Sequence, residues 1–264
     1  MKKYQKYQKC QKYIGILLIL SILTMNVAAE SVLPSTEQYH KPKIKDRYGN
    51  SLNWGGYAVL GQDGSVTDVK GSWIVPPVTC SGGNSYSAFW IGIDGATSST
   101  VEQIGTSSDC NNGVPTYYAW YEFYPKPAFN AITNVNAGDV MSAEVRYTGR
   151  NQFTVTITDT TTGASFTKSS KTSPAKRNSA EWIAEAPHGG NLQLANFGVA
   201  KFGFDYTNIA STNFATVGSY TGSLGSFGTG SIDKITMVTS SGATKAYPSP
   251  ISNETSFNMT WVSP

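Results

Sequence analysis

Histidine is nearly absent from this sequence, and its scarcity disfavours two common kinds of hydrolytic chemistry. The chain has 264 residues and 2 histidines, His40 and His188. His40 stands in a stretch without apolar periodicity and His188 in a turn-like segment, so neither is well placed to serve a Ser-His-Asp triad. Two isolated histidines also give no paired spacing for a zinc ion. Serine-hydrolase and zinc chemistry are therefore disfavoured, whereas calcium held by scattered Asp and Asn oxygens stays open.

Charge is also sparse, and part of the positive charge is concentrated at the N-terminus. Charged residues make up 14% of the chain. Five lysines precede an apolar run at residues 14–23, and small residues follow at 27–29, which is the pattern of a secretory signal peptide over residues 1–29. The alternative is a membrane anchor, but a span needs about 20 apolar residues and this stretch is shorter.

Removal of this leader reverses the sign of the net charge. The whole chain carries 20 basic and 17 acidic residues, a formal charge of +3, and loss of the five leader lysines changes it to −2. Because no basic patch remains, a nucleic-acid partner is not expected. We expect a secreted, extracellular protein without membrane attachment after cleavage, and we take a monomer as the default.

Cysteine is the third scarce residue, with 3 in the whole chain. Cys10 lies in the leader, so Cys80 and Cys110 are the only thiols of the mature protein. Disulfides persist in extracellular compartments, and we predict that these two cysteines pair. The alternative is two free thiols.

Long helical patterns are missing as well, and short strands broken by Gly, Asn, Asp and Pro take their place. Residues 30–52 show no apolar periodicity and are interpreted as a linker or short prosegment, which leaves 53–264 as one domain. In residues 141–147 and 153–158 apolar and polar side chains alternate, as they do in a half-buried sheet. Such segments predict an all-β antiparallel sandwich, whose concave outer face can form a substrate cleft.

Residues 116–125 form the most aromatic segment of the chain. Strand alternation places Tyr118, Trp120, Glu122 and Tyr124 on one side, with aromatic residues also on the other. Both sides are therefore expected to be covered, one by the core and the other by a ligand or loop. A purely structural core strand is the alternative. A carboxylate such as Glu122 in these surroundings needs a partner, because burying an unpaired charge is costly.

Carboxylate chemistry remains for hydrolysis, but the paired Asp-Thr-Gly or Asp-Ser-Gly loops of pepsin-like enzymes are absent. Six segments, in this order, together resemble the glutamic peptidases, or eqolisins, over about residues 53–206. They are residues 53–57 (NWGGY), 71–76 (GSWIVP), 89–95 (FWIGIDG), 101–106 (VEQIGT), 118–125 (YAWYEFYP) and 180–185 (AEWIAE).

This resemblance implies a fold, an activity and two catalytic residues. The implied fold is a sandwich of the concanavalin-like or jelly-roll type with two sheets of roughly seven strands. The implied activity is cleavage of polypeptides in acid without a metal or other cofactor. By motif position the catalytic pair is Gln103 and Glu181. The sequence departs from the family pattern at residues 96–99, where a cysteine is common, and at Glu102, where an apolar residue is usual.

Other residues of these motifs are candidates for supporting roles. Glu181, Ile183 and Glu185 share one strand face, with Trp182 opposite, so Glu185 is the alternative to Glu181 as the catalytic acid. Without the resemblance, Glu181 could also be a solvated residue paired with a lysine, and Gln103 could satisfy backbone groups at a loop. Asp94 is expected to order the loop before Gln103, and three aromatic residues are expected to line the cleft or contact substrate: Trp73, Trp120 and Tyr124.

Two other functions fit an aromatic concave sandwich. A glycoside hydrolase would use two carboxylates facing one cleft, such as Glu122 with Glu181 or Asp94. A non-catalytic lectin would bind sugars without either. Release of reducing sugar, or binding that survives the loss of Glu181, would favour these alternatives over proteolysis.

Overall fold

The computed structural model describes residues 49–187, 190–209 and 212–264. The predicted leader, most of the predicted linker and both histidines lie outside the described residues. The regular secondary structure of the described part of the chain is almost entirely strand, with one short helix, α1 (Phe204–Thr207), and a 3-10 helix at Leu224–Ser226. None of its helices has the length and apolar character needed to cross a membrane.

The strands of the described residues are short and follow one another closely. Their bounds are β1 (Asn50–Ser51), β2 (Trp54–Leu60), β3 (Val66–Ile74), β4 (Ala88–Ile93), β5 (Val101–Asn111), β6 (Val114–Tyr124), β7 (Phe129–Ile132), β8 (Val140–Gly149), β9 (Gln152–Asp159), β10 (Ser165–Lys171), β11 (Ser179–Glu185), β12 (Val199–Phe202), β13 (Phe214–Val217), β14 (Tyr220–Ser223), β15 (Ile232–Val238), β16 (Thr244–Pro248) and β17 (Phe257–Trp261).

Two antiparallel layers form from these strands, and the two-residue β1 pairs in parallel with β15. The front sheet has the order β15-β2-β11-β4-β5-β6-β7. The back sheet runs β10-β9-β8-β3, continues from β3 through β12 to β17 and β16, and carries β13 and β14 beside β3. Strand β15 joins the layers, because Ile232–Ile235 pairs with β2 and Met237–Val238 pairs with β16. The predicted all-β antiparallel sandwich is confirmed.

The main hydrophobic core lies between the two sheets. Phe89, Ile91 and Ile93 on β4 and Trp182 on β11 point into it. The predicted alternation along residues 141–158 is confirmed, since the apolar side chains of β8 and β9 are buried in this core while the threonine hydroxyls of β9 lie at the exposed face. Such alternation is what gives each sheet one apolar face.

A second, smaller apolar cluster covers the other face of the front sheet. It contains Trp54, Trp90, Trp120, Ile183 and Ile235, all buried. The front sheet is therefore covered on both faces, as the aromatic segment at 116–125 predicts. We call the face that carries the smaller cluster the groove face.

The predicted pairing of the two cysteines is present. Cys80 and Cys110 form a disulfide with a Cα–Cα distance of 5.7 Å across a sequence separation of 30 residues. The bond ties the loop that precedes β4 to the end of β5, so it lies at one end of the front sheet.

Loss of this disulfide should destabilise the protein by restoring freedom to the unfolded chain. In the chain-entropy treatment, a loop of this length corresponds to about 3 to 4 kcal/mol. We expect a double Cys80→Ser, Cys110→Ser variant to show that loss in urea unfolding followed by tryptophan fluorescence. A loss below about 1 kcal/mol would show that the closed loop does not restrict the unfolded ensemble as this treatment assumes.

Candidate active site

Four neighbouring strands of the front sheet carry one row of residues across the groove face. Glu181 on β11 is opposite Gly92 on β4, Gly92 is opposite Gln103 on β5, and Gln103 is opposite Glu122 on β6. Residues directly opposite one another in a sheet point to the same face. Strands are spaced by about 4.8 Å, so the Cα atoms of Glu181 and Gln103 are about 10 Å apart.

Strand alternation decides which side chains enter this row. Ala180, Trp182 and Ala184 are buried in the main core, so Glu181 between them must point to the groove face. Ile183, two residues further, packs in the smaller cluster on that face. The order of faces predicted for this strand from the sequence is therefore the one observed.

Gly92 separates the two predicted catalytic side chains. A Cβ atom at this position would lie 3.0 Å from the Trp90 ring and 3.3 Å from the Cβ of Gln103. These separations are tighter than ordinary carbon contacts of about 3.5 to 4.0 Å. A residue larger than glycine therefore does not fit between Glu181 and Gln103 unless Trp90 or Gln103 moves.

The carboxamide of Gln103 is held by Glu122. Its Nε2 donates a hydrogen bond to Oε2 of Glu122 over 2.7 Å, and both side chains are fully buried. The need for a partner, predicted for Glu122 from its aromatic surroundings, is met by this contact. The amide oxygen of Gln103 completes no hydrogen bond within the described residues. The carboxamide therefore keeps one acceptor and its second N–H for another molecule.

Glu181 is buried near two other acids, Asp94 and Glu102. Its side chain is fully buried, and burial, with the charges of these two acids, raises its pKa well above the ordinary value of 4.5. The hydroxyl of Ser179 and the backbone N–H of Ala96 lower the pKa in part, although neither carboxylate oxygen completes a hydrogen bond with a described residue. A carboxylate with its lone pairs available is suited to accept a proton from a water molecule.

Glu185, the alternative acid on the same strand face, is differently placed. Its two oxygens accept hydrogen bonds from Trp90 Nε1 over 2.8 Å and from Asn53 Nδ2 over 3.1 Å. A carboxylate that accepts two such bonds is anchored to the sheet rather than available to water. It is also four residues from Glu181 along β11, and so two positions on the same face away from the row that contains Gln103.

Asp94 joins the end of β4 to the start of β11. Its carboxylate accepts hydrogen bonds from the backbone N–H groups of Arg177 over 2.7 Å and Asn178 over 3.0 Å. The Thr100 hydroxyl, just before β5, also donates to it over 3.4 Å. Asp94 thus fixes three chain segments beside Glu181 and Gln103, and its placement fits the ordering role expected of it.

The three aromatic candidates occupy different places. Trp120 is buried in the smaller cluster on the groove face, and the partly buried Tyr124 packs against that cluster. Trp73 is not in the cleft: it lies on β3 of the back sheet, inside the main core, and its Nε1 donates to Thr106 over 2.8 Å. Trp73 and Val69 are four residues apart on the same strand, so their side chains share the face that packs into the main core. The expected cleft-lining role of Trp73 is therefore wrong.

Sequence reasoning missed two tryptophans of the groove face. Trp54 and Trp90 are fully buried there, with ring centroids 4.8 Å apart in an edge-to-face arrangement. Counting back by two from Gly92 puts Trp90 on the same face, but that signal becomes useful only after Gly92 is known to lie between the candidate residues. Within the described residues, no group of three His, Cys, Asp or Glu side chains could hold a metal ion.

Glu102, where the sequence departs from the family pattern, points to the opposite face from Gln103. It is fully buried beside Asp94. Burial, with the nearby Asp94 charge, raises the pKa of Glu102 well above 4.5, and the hydroxyls of Thr172 and Thr100 lower it only in part. In acid the Glu102 carboxyl is therefore neutral, and its burial is far less costly than that of an ion.

Comparison with known proteins gives matches over the same region. The profile of the Peptidase A4 family matches residues 52–246. Aspergillopepsin-2 of Aspergillus niger is 32% identical over 179 residues, which cover 58% of this chain and 62% of that protein. Scytalidopepsin B of Scytalidium lignicola is 34% identical over 139 residues, covering 50% of this chain and 51% of that protein.

A solved structure agrees with the fold. Scytalido-glutamic peptidase with a peptide-based transition state analog superposes with a TM-score of 0.64 at 25% identity, covering 80% of this chain and 98% of that one. In the sequence matches, by contrast, the chain spans about half to three fifths of the length of the two named relatives.

The neutral state of Glu102 predicts how stability changes with pH. Its pKa is raised in the folded state, so the folded protein binds the proton more tightly than the unfolded chain. Stability from this group is complete below the unfolded pKa and falls as pH rises above it. We expect Glu102→Gln to reduce the loss of unfolding free energy between acid and neutral pH, measured by urea unfolding.

The stability of the two proteins in acid is the control for this prediction. In acid, where Glu102 is protonated, the variant and the unchanged protein should have similar stability. Parallel stability curves over the whole pH range would contradict the assignment of a raised pKa to Glu102.

Proposed function

Since the chain belongs to the Peptidase A4 family, we propose that it is an acid endopeptidase in which Glu181 activates the attacking water and Gln103 stabilises the oxyanion. The observation that carries this proposal is the row in which the two side chains flank Gly92 on one sheet face. A fully buried carboxylate and a fully buried carboxamide lie there on either side of a residue that has no side chain.

The first chemical step is attack by water on the peptide carbonyl. Water bound between Glu181 and Gln103 donates one hydrogen to a Glu181 oxygen and the other to the amide oxygen of Gln103. As its oxygen bonds to the carbonyl carbon, one proton passes to Glu181 and the carbonyl oxygen becomes an oxyanion. The free N–H of Gln103 donates to that oxyanion, and one such donor contributes about 3 to 4 kcal/mol of transition-state stabilisation.

The second step is departure of the amine. Glu181 returns its proton to the substrate nitrogen, the C–N bond breaks, and the carboxylate is regenerated. One carboxyl thus serves as base and then as acid. Glu122 has a positioning role, because its 2.7 Å hydrogen bond keeps the amide nitrogen of Gln103 in a fixed orientation.

Carboxylate and carboxamide groups suit work in acid. A histidine base would be protonated there and could not accept the water proton. The pKa of Glu181 is raised by burial, so less of it is ionised in acid, but its ionised form is a stronger base. A hydrogen bond from the attacking water also favours ionisation. Activity falls toward neutrality as buried carboxyls such as Glu102 lose the protons that stabilise the fold.

The surrounding assignments belong to the same proposal. Residues 1–29 are a signal peptide, 30–52 a linker or short prosegment and 53–264 the catalytic domain of a secreted, monomeric enzyme. Its substrates are polypeptides, in keeping with the peptide-based analog bound to the solved structure of the similar protein. Because Glu181, Gln103 and Glu122 are fully buried, substrate entry requires movement of the covering chain, which includes the Ala96 backbone next to Glu181.

A glycoside hydrolase fits this geometry less well. Glu181 and Glu122 are three strand spacings apart, about 14 Å between Cα atoms. Glycoside cleavage needs two carboxyl groups about 5 to 9.5 Å apart. Glu122 is in addition already bonded to Gln103, which lies between the two acids.

Replacement of Glu181 by glutamine tests the assignment of the base. Glu181→Gln keeps the shape of the side chain but removes proton transfer, so kcat for casein hydrolysis in acid should fall by about a thousandfold or more. The melting temperature should not fall, since a buried carboxyl becomes a neutral amide.

The matched control is Glu185→Gln on the same strand face. It should lose stability, because its new amide NH2 group faces one of the two donors, Trp90 or Asn53, while the remaining oxygen can accept from the other. It should retain proteolysis at temperatures where it is folded. An active Glu181→Gln enzyme, or an inactive but folded Glu185→Gln enzyme, would contradict the assignment.

A side chain added at Gly92 should impair catalysis without changing a catalytic group. In Gly92→Ala the new Cβ pushes against Trp90 and Gln103, and a displacement of about 1 Å in such a site can cost about a hundredfold in rate. We expect kcat for casein to fall at least tenfold on this basis. Gly228→Ala is the control, since no atom lies within 4 Å of a Cβ built there. Equal activity of the two variants would show that the close packing at Gly92 does not position the proposed catalytic residues.

A further inference from the structure

A cavity outside the groove face contains a buried lysine. The cavity has a volume of about 480 Å³ and lies beside the end of β15 and the start of β16. Lys245 lines it, and the side chain is only 5% exposed. Lysine is almost never buried to this extent unless its charge is paired. The position of Lys245 is therefore unusual for a residue with a purely structural role.

A β-bulge places Lys245 at this cavity. Met237 on β15 is opposite Ala246 on β16. The next residue of β15, Val238, is opposite Thr244, so Lys245 is an extra residue of β16. A bulge bends its strand and reorients side chains, and bulges are common beside functional sites.

The backbone of the bulge is held by the segment that follows β17. The carbonyl oxygen of Lys245 accepts hydrogen bonds from the backbone N–H groups of Val262 over 2.8 Å and Ser263 over 3.1 Å. These two bonds satisfy the carbonyl group and limit movement of the backbone. The position from which the Lys245 side chain extends is therefore set before a ligand binds.

The charge of Lys245 has no partner within the described residues. Its ammonium group forms no ion pair with any of them, and this includes the carboxylate of the exposed Pro264. Neither β1, β17 nor residues 190–193 carry a charged side chain. On β15, Asp233 is four residues before Met237, or about 13 Å along the strand.

Burial without a countercharge also affects the ionisation of this lysine. Burial lowers the pKa of Lys245 below its ordinary value of 10.5, because a charged ammonium group is less stable away from water. An anion in the cavity would supply the missing charge.

The remainder of the cavity combines apolar residues with a few polar ones. Its lining includes two hydroxyl residues and four apolar residues: Thr239, Ser240, Leu52, Leu192, Val238 and Pro264. In ligand pockets of this kind, a few polar groups fix the orientation of the ligand while apolar residues contact its body. A single cation matches one carboxylate, and the apolar residues match an apolar group beside it.

We propose that this cavity binds the carboxylate of a small apolar acid, with the ammonium group of Lys245 as its ion-pair partner. The carboxylate belongs to a free organic acid or to the C-terminal residue of a peptide, since the two have the same chemistry. The site is separate from the groove face and does not depend on the proposed peptidase function.

Calorimetric titration of the mature protein at about pH 6 tests this proposal, because free carboxylic acids are mostly ionised there. N-acetyl-leucine represents the C-terminal residue of a peptide, and hexanoate represents a free acid. N-acetyl-leucinamide has the apolar body of N-acetyl-leucine without its charge. It should bind more weakly than N-acetyl-leucine by about tenfold or more, the range for hydrogen bonds to a charged group.

Substitutions locate the binding site. Lys245→Met keeps the unbranched apolar chain without the ammonium group, and it should weaken binding of N-acetyl-leucine by about tenfold or more. Lys245→Gln is a second variant that should show the same loss. The matched control is Lys234→Met, which removes an exposed lysine from β15 and should leave binding unchanged. Glu181→Gln should also bind normally, because Glu181 lies on the groove face.

Each outcome decides for or against the proposal. Binding of both acids would identify a site for apolar carboxylates in general, and binding of N-acetyl-leucine alone would identify a site for peptide ends. The proposal is overturned if neither acid binds, if the amide binds as well as the acid, or if the Lys245 variants bind normally. Loss of binding in Glu181→Gln alone would place the ligand in the proposed active site and would likewise overturn it. None of these results requires that the protein cleave casein.

Discussion

The hydrogen-bonded register of β11, β4, β5 and β6 is the constraint on which the candidate site depends. Gln103 and Glu122 come from the hairpin of β5 and β6, Glu181 comes from a distant part of the chain, and only this register puts the three in one row. Side chains alternate between faces along a strand, so a slip of one residue would move a catalytic side chain into the main core. The tryptophans on both faces of the front sheet, such as Trp182 and Trp90, make such a slip costly.

Burial of polar groups in and beside this row is made tolerable in part by specific partners. Gln103 donates to Glu122, Glu185 receives two donors, and Asp94 binds the backbone that leads into β11. Neither oxygen of Glu181 completes a hydrogen bond with a described residue, and the same holds for the amide oxygen of Gln103 and for both oxygens of Glu102. A buried polar side chain in a folded protein usually has its partners. Two of these departures therefore fall on Glu181 and Gln103, the residues to which the proposed mechanism assigns the chemistry.

Local patterns in the sequence predict the strand face on which each side chain lies. They do not predict which strands pair with one another. Alternation alone separated Trp182 from Glu181 and Glu185, and the aromatic setting of Glu122 correctly demanded a partner. The identity of that partner, Gln103, requires the pairing of β5 with β6. The misplacement of Trp73 has the same origin, because its motif lies among those of the front sheet although β3 belongs to the back sheet. Trp90 was missed because its significance depends on the register of β4 with β5.

Glu102 and Gln103 show how one strand links stability to chemistry. Adjacent residues of β5 face opposite sides of the front sheet, so the carboxyl of Glu102 is buried behind the carboxamide that the mechanism uses. A neutral Glu102 carboxyl can be buried in that interior. An ionised carboxylate is costly to bury there, and this cost would be reduced if β5 moved or water entered. Because Glu102 and Gln103 are adjacent in the chain, any such movement of β5 would also displace Gln103. In the proposed enzyme, a protonated Glu102 on the back of the strand therefore favours an undisturbed site in acid, while Glu181 at its front acts as base in its ionised form.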